Sequence, residues 1–130
     1  MYQEDAAEFI ENASVGVHAV SPEGIVVYAN QCELETMGFN KDEYVGHHVS
    51  EFQLDKECLQ EMMERLTELE TLKNYPAIVQ TKNGIKYIIY NSSVYSEHGE
   101  FIHTRCYGTE VEKEIYDAYY KLWKEARQCG

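Results

Sequence analysis

The sequence contains no apolar run long enough to span a membrane, since its longest apolar stretches are only a few residues. Its first residues, MYQED, place no basic segment ahead of an apolar one, so no secretory signal is visible. The four cysteines, Cys32, Cys58, Cys106 and Cys129, form no C-x-x-C pair, which excludes zinc-ribbon and thioredoxin-like patterns. We therefore expect a cytoplasmic domain with reduced cysteines and no membrane insertion.

Basic residues are scarce in the first half of the chain. Residues 1–70 contain 16 acidic and 3 basic residues, whereas residues 71–130 contain 7 acidic and 8 basic residues, and the net charge is −12. A negative field of this kind repels phosphate backbones, so we expect no nucleic-acid binding. The acidic half is typical of a solvated helical surface.

Patterns for catalysis and metal binding are also missing. There is no Gly-rich phosphate loop and no Ser/His/Asp spacing. His47 and His48 are adjacent and point apart, with no ligand at a suitable offset, so we expect no metal site. Cys106 and His103 are three apart on a predicted strand and face opposite sides. Cys58 begins a helix, where packing is its commoner role. We expect no catalytic residues and no enzyme activity.

The 130 residues suit one domain, and its elements follow from hydrophobic periodicity and turn residues. A first helix is predicted at residues 4–13, followed by a hairpin of strands 15–20 and 25–30 across the SPEG turn. Two short helices end at Gly38 and Gly46. A longer helix at 56–70 then carries one apolar stripe, made of Leu59, Met62, Met63, Leu66 and Leu69.

Three strands and a helix complete the pattern. The strands are predicted at 75–81, 85–95 and 101–108, with Asn83-Gly84 as the hairpin turn. The helix is predicted from Glu110 to the end, with an apolar stripe at Val111, Ile115, Ala118 and Leu122 that Tyr119, Trp123 and Ala126 widen. Strands that come in blocks indicate an α+β fold with a five-stranded antiparallel sheet and helices on one face.

This order, with its residues, resembles a PAS domain over roughly residues 9–112. The resemblance lies in "NASVGVHAVSPEGIVVYANQ", "MGF", "DEYVG", "KNG" and "FIHTRCYGTEVEKE", in that order along the chain. The variant is most similar to PAS modules that precede histidine kinase or other output domains in bacterial two-component systems. It implies a cap helix at 1–13, a PAS core at 14–112 and a signalling, coiled-coil-like exit helix at 113–130.

The resemblance assigns roles to several residues. Asn30 matches an asparagine that ties the second strand to the following helix through its amide, a structural role shared here with Gly38, Gly46 and Gly84. Glu110, Val111 and Glu112 stand where many PAS domains have an Asp-Ile-Thr-like triplet that relays signals to the exit helix. The threonine is absent, so any coupling here uses different hydrogen bonds.

The resemblance also implies a pocket between the sheet and the helices. Aligned by the family pattern, the lining residues are Met62, Leu66, Val79, Ile89, Asn91, Ser93, Thr104 and Cys106. A slip of one residue replaces the polar set on the fourth strand with Tyr90, Ser92 and Val94. The buried polar groups either bond protein and water or orient a ligand, and the sequence leaves both open.

The cofactor is left open by the sequence. We expect no heme, since its axial histidine would lie on the long helix, and no covalent flavin, since the Asn-Cys-Arg-Phe-Leu-Gln run is absent. A non-covalent flavin or a small metabolite remains open.

We expect a non-catalytic sensory and dimerisation module that acts on an output domain outside this chain, where any kinase activity would lie. A homodimer would form through residues 4–13, the exit helix and the outer sheet face of Phe101, His103, Arg105 and Tyr107. The alternatives are a ligand-free protein–protein interaction module and a small cofactor-using or thiol enzyme built on Cys58 or Cys106.

Overall fold

The computed structural model describes residues 3–129, with side chains from Gln3 to Arg127, so the side chain of Cys129 lies outside the described part. Its elements in chain order are α1 Ala6–Glu11, β1 Gly16–Val20, β2 Val26–Ala29, α2 Gln31–Met37, α3 Lys41–Tyr44, a 3₁₀ turn at Val49–Glu51, α4 Lys56–Thr67, β3 Leu72–Thr81, β4 Gly84–Glu97, β5 Glu100–Val111 and α5 Lys113–Cys129. No helix in this part is long and apolar enough to cross a membrane.

The five strands form one antiparallel sheet in the order β2-β1-β5-β4-β3. The predicted α+β class, with helices α2, α3 and α4 packed on one face, is confirmed. Thr81 pairs with Gly84 across the β3–β4 hairpin, where Gly84 has a φ of 125°. The core lies between the sheet and these helices, and its largest fully buried side chains include Met37, Leu66 and Leu72.

Two predicted helix boundaries are wrong. Glu110 and Val111 belong to β5, because they still pair with Ile88 and Tyr87 of β4, and α5 begins only at Lys113. Helix α4 ends at Thr67, so Leu69 leaves the predicted apolar stripe, with a φ of 64° and 41% of its surface exposed. Sheet pairing in the first case and a left-handed residue in the second override the local helical pattern.

Helix α5 packs beside β3, at the edge of the sheet, through a face that includes Trp123 of the predicted stripe but not its aliphatic residues. The rings of Tyr116 and Tyr87 lie 5.1 Å apart, and those of Trp123 and Tyr75 lie 6.2 Å apart. The predicted stripe residues Ile115 and Leu122 are instead 47% and 62% exposed. Aromatic side chains therefore anchor α5 to its own domain, while the aliphatic stripe faces outward.

Candidate functional site

Asn30 joins three elements through its side-chain amide. Its Oδ1 accepts hydrogen bonds of 2.9 Å from the backbone N–H groups of Val17 and Glu33, so it both holds β1 and caps α2. Its Nδ2 donates to the carbonyls of Ile10 and Val15. The side chain is fully buried, so these four bonds replace water for every polar atom it carries.

The glycines named from the sequence lie at the ends of elements. Gly38 ends α2 with a φ of 76°, and a Cβ there would approach Nδ2 of Asn83 to 3.0 Å. Gly46 follows α3, and its N–H donates to the carbonyl of Val26. Together these residues set the entry and exit of the short helices that cover the sheet.

The strand register brings a different face of β4 to the core than the family pattern predicted. Ser92 is opposite Cys106 and Tyr90 is opposite Tyr75, and directly paired residues point to the same side of a sheet. The assignment of Asn91, Ser93 and Ile89 to the pocket is therefore wrong. Asn91 is exposed and accepts a bond from Asn74 N, and Ile89 is buried but does not line the cavity.

The remaining predicted residues come together around one internal cavity of about 30 Å³, between the sheet and α4. Its full lining is His18, Val20, Met37, Tyr44, Val49, Phe52, Gln53, Leu59, Met62, Met63, Leu66, Val79, Tyr90, Thr104 and Cys106. A space of this size holds about one or two water molecules. It does not fit the ring system of a flavin.

A buried polar cluster of His18, Glu33 and Tyr44, absent from the sequence interpretation, flanks this cavity. Nδ1 of His18 lies 3.1 Å from Oε2 of Glu33, and the Tyr44 hydroxyl donates to the same oxygen at 2.6 Å. His18 is only 6% exposed and Glu33 only 3%. Nδ1 makes no hydrogen bond of good geometry, so the close approach to Glu33 is mainly electrostatic.

Charge pairing outweighs the effect of burial on the pKa values of His18 and Glu33. Burial disfavours the imidazolium, but the opposite charges of Cys106 and Glu33 raise the pKa of His18. Burial likewise works against the Glu33 carboxylate, yet His18 and the Tyr44 hydrogen bond lower its pKa. We therefore assign a charged pair, His18 positive and Glu33 negative, at neutral pH.

Cys106 faces this pair from the neighbouring strand. His18 of β1 and Cys106 of β5 are direct partners in the register, so both side chains lie on the cavity side. The Cys106 thiol donates to Oγ1 of Thr104 at 3.2 Å, and that oxygen also accepts from Val20 N at 2.9 Å. Thr104 therefore links the cavity wall to the backbone of β1.

Besides Nδ1 of His18, two buried polar atoms near the cavity make no hydrogen bond within the described residues: Oε1 of Gln53, which lines it, and Oγ of Ser92, beside Cys106. Leaving a buried acceptor unpaired costs about 1–3 kcal/mol. Such atoms are the usual partners of an ordered water or a small polar ligand.

The sequence held a signal for this cluster. A histidine in VGVHAV alternates with apolar residues on a strand, and Glu33 follows the helix-capping Asn30 by one turn of helix. A single histidine on an apolar strand nevertheless carries little information until its partner on another element is known.

A second polar cluster joins α5 to α4. Oε2 of Glu61 accepts hydrogen bonds from Nε1 of Trp123 at 2.9 Å and from Nε of Arg127 at 3.0 Å, and the Tyr75 hydroxyl also donates to it. The Arg127 guanidinium lies 3.9 Å from the centre of the Trp123 ring. We call this group the Glu61 clasp. Met62, the next residue, lines the cavity.

The predicted relay residues span the end of β5 and its junction with α5. Glu110 forms an ion pair of 3.3 Å with Lys86, and Val111 pairs with Tyr87. Glu112 is the single residue between strand and helix, and its carbonyl accepts from Ile115 and Tyr116.

His47 and His48, by contrast, bond to Glu51 and Ser50 near the surface. No metal-binding cluster occurs within residues 3–127.

A five-stranded sheet in this order, with short helices over a small cavity, defines the class of PAS-type sensory folds. A sequence profile of the PAS domain matches residues 13–113, so the chain belongs to the PAS domain family. No curated protein matches the sequence. The family is one of sensory signalling modules.

Solved structures show the same fold. The PAS domain of an HTR-like protein from Haloarcula marismortui superposes with a TM-score of 0.68 at 18% identity, covering 79% of this chain and 86% of that one. A light-oxygen-voltage domain studied with a flavin analogue gives 0.76 at 16% identity, covering 92% and 93%. A PAS domain from a two-component sensor histidine kinase gives 0.68 at 12% identity, covering 82% and 93%.

Proposed function

We propose that this chain is a non-catalytic, cytoplasmic sensory and dimerisation module that detects a small polar molecule in the cavity beside His18. It passes the change to an output domain, of the kind that histidine kinases carry, outside these 130 residues. The observation that carries the proposal is the buried polar cluster at the cavity. A buried charged pair and two unpaired polar atoms cost free energy in a packed core, and a polar ligand that bonded to them would offset part of that cost.

The size and lining of the cavity support a small ligand rather than a flavin. A volume of about 30 Å³ accepts only a few heavy atoms unless α4 moves outward. Leu59, Met62 and Met63 of α4 form the apolar wall, and methionine side chains adapt easily to a new occupant. The polar side, with His18 and Thr104, would orient the ligand.

Two routes connect the cavity to α5. Strand β5 supplies Thr104 and Cys106 to the cavity and reaches α5 one residue after Val111. Helix α4 supplies Met62 to the cavity, while the preceding Glu61 holds Trp123 of α5. A ligand that moved either element by a small amount would change the balance between two positions of α5.

The test is native mass spectrometry of the protein as purified, with an absorbance spectrum of the same sample, followed by a ligand screen by thermal shift. We expect a small retained or captured molecule whose affinity falls in Ser92→Ala, which changes the cavity side of β4. Ser93→Ala, on the opposite face, is the matched control. Equal affinity in both variants, or no ligand at any concentration, would contradict the proposal.

The homodimer is part of the proposal. Ile115 and Leu122 of α5 and Ile85 of β4 are about half exposed or more, and Ile85 and Ile115 line one surface groove with Val111. A second copy would cover these apolar side chains. Light scattering at micromolar concentrations should give a dimer that Ile115→Lys converts to monomer, whereas Lys121→Ala, on the exposed surface of the same helix, should leave it unchanged.

One observation favours the alternative of a ligand-free interaction module. The Thr104 hydroxyl already accepts the Val20 N–H, so this polar group needs no ligand. In that case the sample would carry no bound molecule and the dimer would form regardless of added compounds. The two functions therefore differ in the ligand screen and agree in the light-scattering result.

A further inference from the structure

Cys106, His18 and Glu33 form a continuous series of thiol, imidazole and carboxylate. Cys106 and His18 are direct partners across β5 and β1, and Glu33 lies 3.1 Å from the ring on its Nδ1 side. The Tyr44 hydroxyl holds the same carboxylate oxygen. A nucleophile, a proton-carrying group beside it and a third group that fixes that partner make up the arrangement of an activated thiol.

We propose that Cys106 is a reactive thiol that hydrogen peroxide oxidises from within the cavity. This inference rests on the sensory role proposed above and names the stimulus of the same cavity. Hydrogen peroxide is neutral and only slightly larger than water, so a space of about 30 Å³ with largely apolar walls can admit it. The unpaired Oε1 of Gln53, on a side chain only 7% exposed, supplies an acceptor for a peroxide O–H.

The surroundings of Cys106 favour the thiolate, unlike those of the other buried cysteine. Burial raises the pKa of the Cys106 thiol, but the charge of the His18 imidazolium outweighs it and lowers the pKa. At Cys58, burial and the hydrogen bond to Asp55 both raise the pKa of the thiol. Cys58 is fully buried and lies outside the cavity lining. It therefore serves as an internal comparison.

The reaction needs no group beyond peroxide and the cluster. The Cys106 thiolate attacks one peroxide oxygen, a sulfur–oxygen bond forms, the oxygen–oxygen bond breaks, and hydroxide leaves with the electron pair. The imidazolium of His18 gives that hydroxide a proton, so the products are water, neutral His18 and a sulfenic acid. Sulfur loses two electrons, which the peroxide gains. Glu33 is then a buried carboxylate without a cation, and this favours rearrangement of β1 and β5.

The experiment treats the folded protein with hydrogen peroxide and follows the intact mass together with a dione reagent that traps sulfenic acids. We expect one added oxygen, mapped to Cys106. In Cys106→Ser the addition should disappear, whereas in Cys32→Ser it should persist. His18→Gln should slow oxidation of Cys106 by about a hundredfold, at the low end of what proton-transferring groups contribute. A bulky alkyl hydroperoxide, which the cavity cannot admit, should leave Cys106 intact.

A pH profile of the wild-type rate covers the case in which His18→Gln fails to fold. Because the pKa of Cys106 is lowered, the oxidation rate should reach its maximum below pH 9.0, the ordinary pKa of the thiol. A rate that climbs steadily to pH 9.0, oxidation of Cys32 ahead of Cys106, or equal rates with the bulky oxidant would each overturn the inference. A retained ligand with Cys106 unoxidised would defeat this inference and leave the sensory function standing.

Discussion

Nε1 of Trp123 donates a hydrogen bond of 2.9 Å to Oε2 of Glu61, a residue 62 positions earlier in the chain. This bond ties the exit helix to the same helix that walls the cavity. Arg127 and Tyr75 donate to the same oxygen, so one carboxylate oxygen accepts hydrogen bonds from three side chains.

Substitution of this carboxylate should release α5. We expect Glu61→Gln to lower the free energy of unfolding by about 1–2 kcal/mol, since hydrogen bonds to a charged group are lost and the site is partly exposed. Hydrogen exchange at 116–127 should become faster. Glu64→Gln, one turn further along α4, is the control, because the Glu64 carboxylate accepts its hydrogen bond from Gln60 on the same helix. Unchanged hydrogen exchange in α5 would show that the Glu61 clasp does not hold the helix in place.

Asn30 should be among the most sensitive positions in the fold. Asn30→Ala leaves the N–H groups of Val17 and Glu33 without their side-chain partner and removes a donor from two carbonyls, so we expect a loss of about 3 kcal/mol or more in urea unfolding. Asn40→Ala removes the exposed cap of the short helix α3 and should cost only about 1 kcal/mol. Similar losses in the two variants would show that the fourfold bonding of Asn30 adds little.

The charged pair predicts a particular dependence of stability on pH. The pKa of His18 is raised from 6.5 to about 10 on folding, so its contribution is complete below 6.5 and is lost as the pH rises towards 10. The pKa of Glu33 is lowered from 4.5, so its contribution is complete above 4.5 and is lost as the pH falls below that value. Burial keeps the pKa of Tyr44 and Tyr90 well above 10, so neither titrates in this range.

Urea unfolding of Cys106→Ser, alone and combined with His18→Gln and Glu33→Gln, measures this effect without the thiol, whose lowered pKa would offset the His18 contribution between pH 6.5 and 9.0. The difference between them should be largest between pH 4.5 and 6.5 and should shrink on both sides. The double variant His47→Gln, Glu51→Gln removes an exposed pair, so its difference from the wild type should be small at every pH. A buried-pair difference independent of pH would argue against a charged His18.

The register of β4 can be checked by labelling. In a background of Cys32→Ser and Cys129→Ser, Asn91→Cys should react rapidly with a maleimide, because residue 91 faces solvent. Ser92→Cys should be protected in the folded protein, because residue 92 is 2% exposed. Protection of position 91 with labelling of position 92 would restore the register implied by the family pattern.

The sequence predicted the order and type of the elements because each carries its own local pattern, such as the stripe on α4 and the turn at Asn83-Gly84. The sequence did not predict which side of β4 faces the core. Isoleucine and tyrosine residues occur on both faces between 85 and 90, so alternation there gives no direction, and only pairing with Cys106 and Tyr75 decides it. The His18–Glu33 pair was hidden for a similar reason, since its members come from separate elements.

The single residue between β5 and α5 fixes the rotation of α5 about its own axis, and with it the orientation of any domain joined after the helix. One residue, Glu112, is too short a linker to let α5 rotate freely. The last residue pairs of the sheet therefore set the direction in which each side chain of α5 points. One residue inserted in α5 would turn everything after it by about 100°, because a helix has about 3.6 residues per turn. Seven inserted residues would restore the orientation to within about 20°. Fusions of this domain to a reporter should therefore alternate between active and silent with helical periodicity.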